Sequence, residues 1–177
     1  MSITAETSLR YHGVARALHW IMAILIIGNL VGGIFHDGLG KMFPVMPLHK
    51  ATGITILALA LARLGWRLTH PAPALPAEMP GWERLVAKVT HIAFYALMVL
   101  VPLSGWIMVS PGDRPLNWFG LFPIPKFGLA KTDAIVGISH EGHEILGLAF
   151  AALVILHIVA ALRHHFILRD TVLRRMA

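Results

Sequence analysis

No cysteine occurs in this chain. That absence excludes disulfides, iron–sulfur clusters and thioether attachment of a haem, so any haem would be held without a covalent link. Charge is scarce as well. Only 14% of the 177 residues are Asp, Glu, Lys or Arg, against 56% hydrophobic, where a soluble domain carries roughly a quarter charged. With a mean hydropathy of +0.70, the deficit of charge points to an integral membrane protein. The formal charge of +6 does not point to nucleic acid, because Arg and Lys flank the apolar runs and form no basic helix or aromatic-interleaved patch. No internal repeat indicates duplication. No cleavable signal peptide is read either, since the first apolar run lacks a small-residue cleavage site and contains His19 and Asn29.

What is present is an unusual number of histidines, eleven in so apolar a chain, distributed over four stretches long enough to cross a bilayer. Residues 17–36 contain no Asp, Glu, Lys or Arg, and about 20 apolar residues suffice for a crossing. A short Gly/Pro loop follows. The second span, 48–68, crosses if Lys50 and Arg67 snorkel to opposite surfaces and Arg63 finds a partner. A proline-rich connector over 70–80 cannot be helical. The third span, 89–110, contains Pro102, which is expected to kink it. Residues 113–139 form the longest loop, of a length that is often functional or forms a cap. The fourth span, 142–163, is followed by arginines up to Arg175. The fold class expected is therefore an all-α integral membrane protein, a bundle of four transmembrane helices in a single domain over 1–177.

Four crossings put both termini on one side. Of the 15 Lys and Arg, Lys41, Lys50, Arg114, Lys126 and Lys131 fall on the other side, leaving ten with the termini. The positive-inside rule then predicts that both termini are cytoplasmic. This orientation sorts the histidines by depth. His19 and His157 lie toward the cytoplasmic surface, and His49 and His143 toward the periplasmic one. His143 and His157 are 14 residues apart in one helix, which returns them to within about 40° of one face and separates them by roughly 21 Å. Ionisable groups inside a membrane are costly unless employed. Two imidazoles per leaflet suit a six-coordinate, electron-transferring b-type haem, which has no open position for small ligands. Helical bundles are natural sites for such groups.

His140 competes with His143 at the start of the fourth helix, but its 17-residue separation from His157 turns the ring about 100° away. Arg63 lies 14 residues after His49, at the depth of the cytoplasmic haem, where a haem propionate would be a natural partner and snorkelling the alternative. Gly33 and Gly105 lie 14 residues after His19 and His91, where glycine permits close approach of a macrocycle. His91 and His164 remain, and either could hydrogen-bond a quinone carbonyl or hand on a proton; interfacial histidines bonded to propionate, lipid phosphate or backbone are the plainer reading.

At these residues the sequence resembles the bacterial cytochrome b-561 family of four-helix di-haem membrane cytochromes. The segments that carry the resemblance are Ala17-Leu18-His19-Trp20, Pro47-Leu48-His49-Lys50-Ala51-Thr52-Gly53 with Arg63, and Thr90-His91-Ile92-Ala93-Phe94-Tyr95 with Pro102-Leu103-Ser104-Gly105. In the fourth helix they are Gly142-His143-Glu144, His157 and Arg163-His164-His165. The resemblance implies two haem b groups per chain, bound through His19, His157, His49 and His143 as iron ligands. It also implies electron transfer across the bacterial inner membrane with the quinone pool. Members of this size look like superoxide oxidases, which pass electrons from periplasmic superoxide to ubiquinone. The alternative is an anchor subunit that connects a dehydrogenase or hydrogenase partner protein to quinone. A histidine-lined metal or proton transporter is disfavoured, because the spans offer little polar path beyond the histidines and Arg63.

Overall fold

The computed structural model describes residues 10–74 and 79–177. Most of the polar N-terminal tail, and residues 75–78 of the proline-rich connector, lie outside the described residues. Four helices dominate: α1 (Gly13–Ile34), α2 (Val45–Thr69), α3 (Gly81–Val109) and α4 (Ala134–Leu162). All four are long and apolar enough to cross a membrane. Each begins before the apolar span read from sequence, although α1, α3 and α4 end one or two residues short of it, because hydropathy marks the bilayer whereas helical hydrogen bonding continues into the interface. α3 passes through Pro102 as one continuous helix. Its consecutive neighbours pack closely, α3 and α4 most of all, whereas α1 and α4 meet sparingly. The result is a ring of four helices with a looser seam between the first and the last.

The two ends of the bundle differ. At one end the chain folds back on itself: Trp20 Nε1 donates to the Met176 carbonyl at 2.8 Å, Tyr11 N to the Arg175 carbonyl at 3.1 Å, and Arg175 Nη1 to the Ala74 carbonyl at 2.5 Å. This is the tail end. At the other end the long loop contains an antiparallel hairpin of β1 (Leu116–Trp118) and β2 (Phe122–Ile124). Strands of three residues are too short to show a period in sequence. The turn places Phe119 and Gly120 at φ +48° and +76°, the left-handed pair that suits a tight hairpin. Trp118 Nε1 donates to Thr55 Oγ1 of α2 at 3.0 Å. Trp106 Nε1 donates to the Pro125 carbonyl at 2.9 Å, and Phe127 N to Ser110 Oγ at 3.1 Å. Lys126 reaches the carbonyls of Gly112 and Arg114. The loop is thus strapped onto α2 and α3 as a cap on this hairpin end.

The core lies midway between the ends, where Met22, Ile26, Ile56, Ala60, Met98 and Phe150 form one buried cluster. Large apolar residues such as Ile24, Ile145 and Ile155 point outward instead, as lipid-facing positions do. Lipid offers apolar side chains as good a solvent as a protein interior, so the cluster holds the helices together through close packing. Phe150→Ala is accordingly expected to cost about 3–5 kcal/mol, read as a lower thermal midpoint in detergent.

Candidate functional site

Each long helix carries one inward seam marked at intervals of seven residues. In α1 the seam is His19, Ile26 and Gly33, and in α2 it is His49, Ile56 and Arg63. In α3 it is His91, Met98 and Gly105, and in α4 it is His143, Phe150 and His157. Seven residues rise about 10.5 Å and return nearly to the same face, the register of left-handed helical bundles. All four middle residues belong to the buried cluster. The bundle is therefore layered. A hairpin-end layer holds two histidines and two glycines, an apolar plug follows, and a tail-end layer holds three histidines and an arginine.

The histidines meet in the pairs that depth predicts. The His49 and His143 rings lie 6.0 Å apart between centroids with planes at 90°, and those of His19 and His157 lie 6.3 Å apart at 70°. Two imidazoles on opposite sides of one metal, with metal–nitrogen bonds of about 2.0–2.1 Å and roughly 1.2 Å more to each ring centre, have centroids about 6.4 Å apart. Both centroid separations lie close to that value. His91 also stands 6.2 Å from His157, but α3 and α4 are the most closely packed helices, whereas His19 faces His157 across the looser α1–α4 seam. The looser seam is the one that separates His19 from His157.

At the hairpin end the ring orientation is built into the neighbouring helices. His49 Nδ1 bonds the Asn29 carbonyl at 3.1 Å, and His143 Nδ1 bonds the Val101 carbonyl at 2.9 Å, with Ser104 Oγ at 3.2 Å. Each ring donates from Nδ1 and so presents an unprotonated Nε2, the tautomer a metal requires. Each ring also lies against a glycine four residues beyond its carbonyl. A Cβ at Gly33 would come within 2.8 Å of His49 Cε1, and one at Gly105 within 2.9 Å of His143 Cε1. These glycines thus seat imidazoles. A cavity of about 500 Å³ surrounds the pair and is also lined by His36, His140 and Glu144.

The tail-end layer is cationic. Arg63 interacts electrostatically with His19, His91 and His157, and its Cζ stands 6.0 Å from the Tyr95 ring centroid. It has no carboxylate partner among the described residues, which leaves it free for an anion arriving with a ligand. Beside it opens a cavity of about 550 Å³ lined by Arg10, Arg63, Arg67, His70, His91 and Tyr95, among others, and, among the described residues, by no carboxylate. His164 is placed elsewhere. Its Nδ1 is bound to Asp170 Oδ2 at 2.5 Å, where the chain turns back through the left-handed Arg169.

Sequence reasoning did not find the Asn29 and Val101 carbonyls, Ser104, Asp170 or the middle layer. The middle layer had a signal, the halfway points of the 14-residue intervals. The carbonyls had none, because every residue carries one. The sequence pattern of the family described as prokaryotic cytochrome b561 matches residues 10–177. The chain is 33% identical to cytochrome b561 homolog 2 of Escherichia coli, over 99% of this chain and 95% of that one. It is 27% identical to cytochrome b561 homolog 1 of the same organism, over 90% and 92%. It is also 27% identical to the probable superoxide oxidase CybB of Yersinia pestis, over 94% and 95%. The layered histidines and four apolar helices thus sit in a chain that belongs to the prokaryotic cytochrome b561 family, whose members are b-type haem proteins of membrane electron transfer.

Proposed function

We propose that this chain binds two b-type haems, one through His49 and His143 and one through His19 and His157, and carries electrons inward from periplasmic superoxide to ubiquinone. The observation that carries the di-haem reading is the spacing of the two ring pairs, 6.0 and 6.3 Å. The superoxide reading is supported by similarity to a relative named a probable superoxide oxidase. The tail end, with its excess of Arg and Lys, is taken as cytoplasmic, in the bacterial inner membrane. A bound b-type haem would supply a reversible one-electron iron couple at each pair.

The residues divide the remaining work. Two superoxide anions each lose one electron and leave as dioxygen; one ubiquinone takes both electrons and two cytoplasmic protons and leaves as ubiquinol. Ile26, Ile56, Met98 and Phe150 exclude water between the two sites and keep them about 21 Å apart along α4. Arg63 would neutralise a propionate of a haem held at the tail end. The tail-end cavity receives the quinone head, and His91 donates a hydrogen bond to its carbonyl. His164 stands outside that cavity lining, committed to Asp170. His91→Leu is expected to raise the KM for a short-chain ubiquinone about tenfold, the worth of one hydrogen bond of ~1.4 kcal/mol, while the haem absorbance persists.

The reading is tested by haem analysis of the detergent-purified protein, followed by addition of superoxide and then ubiquinone. Two low-spin b-type haems per chain, reduced by superoxide and reoxidised by quinone, are expected. Two haems indifferent to superoxide would instead favour an anchor subunit serving a dehydrogenase or hydrogenase partner. A protein without haem would end the proposal.

A further inference from the structure

The two histidine pairs are not held alike, and the difference bears on electron direction. At the hairpin end both rings rest on a neighbouring helix in the same way. His49 lies over Gly33 and donates to the Asn29 carbonyl, and His143 lies over Gly105 and donates to the Val101 carbonyl. In each case the carbonyl is four residues before the glycine, so the bonded oxygen and the missing Cβ are adjacent on one helical face. At the tail end, among the described residues, neither His19 nor His157 makes a hydrogen bond. In place of the two glycines that layer has Arg63 and His91.

We infer that the paired carbonyl–glycine cradles make the hairpin-end haem the lower-potential member of the two, so that the chain itself biases electrons from the hairpin end to the tail end. The inference rests on the di-haem reading above. With Nε2 on iron, Nδ1 must carry the proton, so each contact is an N–H donating to a carbonyl. Such a bond increases the basicity of the ring and its donation to the metal, which favours ferric iron. Away from water the bond is stronger than it would be at a surface. Two such bonds act on one iron at the hairpin end. At the tail end neither ligand ring makes one, and the Arg63 cation favours the less positive, ferrous iron. Asn29, Gly33, Val101 and Gly105 are thus positioning residues, and they act through His49 and His143.

The test uses the purified holoprotein with His49→Gly, the vacated ligand position being filled from solution with either imidazole or 1-methylimidazole, which has no N–H to donate. A redox titration monitored by haem absorbance is expected to give a hairpin-end midpoint lower with imidazole than with 1-methylimidazole. A tenfold change in ferric preference reads as about 59 mV for this one-electron couple. The same exchange in His19→Gly is expected to leave the tail-end midpoint unmoved. Equal midpoints in His49→Gly, or an equal shift in His19→Gly, would overturn the inference. If the variants do not retain the affected haem, the titration still decides. His49→Gly must then lose the lower of the two wild-type midpoints and His19→Gly the higher, and the reverse assignment overturns it. Wild-type protein lacking two haems would instead mark failure of the di-haem reading itself.

Discussion

Replacing His49 by alanine is expected to halve the haem content and to abolish superoxide-driven ubiquinone reduction. The imidazole leaves a half-buried site between α1, α2 and α4, where it faces His143 at 6.0 Å and is tied to Asn29. His36 and His140 also line the cavity, but neither is in ring contact with His143 as His49 is. Loss of a supporting partner in the outer shell of a metal site typically costs 10–100-fold. Loss of the ligand itself should exceed about a hundredfold in superoxide-driven flux. The tail-end pair lies about 21 Å away along α4, beyond the apolar plug, and should keep its haem. Reduced-minus-oxidised difference spectra of wild type and variant measure the outcome. Retention of both haems would remove His49 from the ligand set.

The second large effect is expected where no ligand is touched. Valine at Gly33 or Gly105 would place a Cβ 2.8 or 2.9 Å from the Cε1 of His49 or His143, with two further methyl groups beyond it. The helix backbone cannot recede without breaking its own hydrogen bonds, so the ring must move. That movement also breaks the Nδ1 contact with Asn29 or Val101. Overpacking alone costs about 1–3 kcal/mol; displacement of the ligand should add loss of the hairpin-end haem with the tail-end spectrum preserved. Gly28 is the control. A Cβ there meets nothing within 4 Å, and alanine in a helix interior is favoured over glycine by about 1 kcal/mol. Gly28→Ala should therefore leave both spectra unchanged, and an effect as large as that at Gly33 would show that any bulk in α1 disturbs the bundle.

Much of the architecture can be read along the chain because it is local. The four apolar helices follow from runs of uncharged residues long enough for a bilayer. The depth of each histidine follows from the rise per residue, which no packing alters. So does the recurrence of His19 with Gly33, His49 with Arg63, His91 with Gly105, and His143 with His157 at 14-residue intervals. Even the choice of His143 over His140 follows from helical angle alone, and the structure places His143 opposite His49.

Other features depended on which helix faces which, and at what rotation. The looser seam between α1 and α4, across which His19 faces His157, is a property of the assembled ring. The Asn29 and Val101 carbonyls became partners only when the glycines allowed imidazoles to lie on the helix backbone. The bond of His164 to Asp170 required the left-handed turn at Arg169. The hairpin over 116–124 formed against Thr55 of α2, 63 residues before Trp118. The sequence by itself determined the four apolar helices and the spacing of the histidines along them, because periodicity and rise are properties of a single helix. Only the tertiary structure decided the partners, because rotation of one helix against another is set by contacts between residues far apart in the chain.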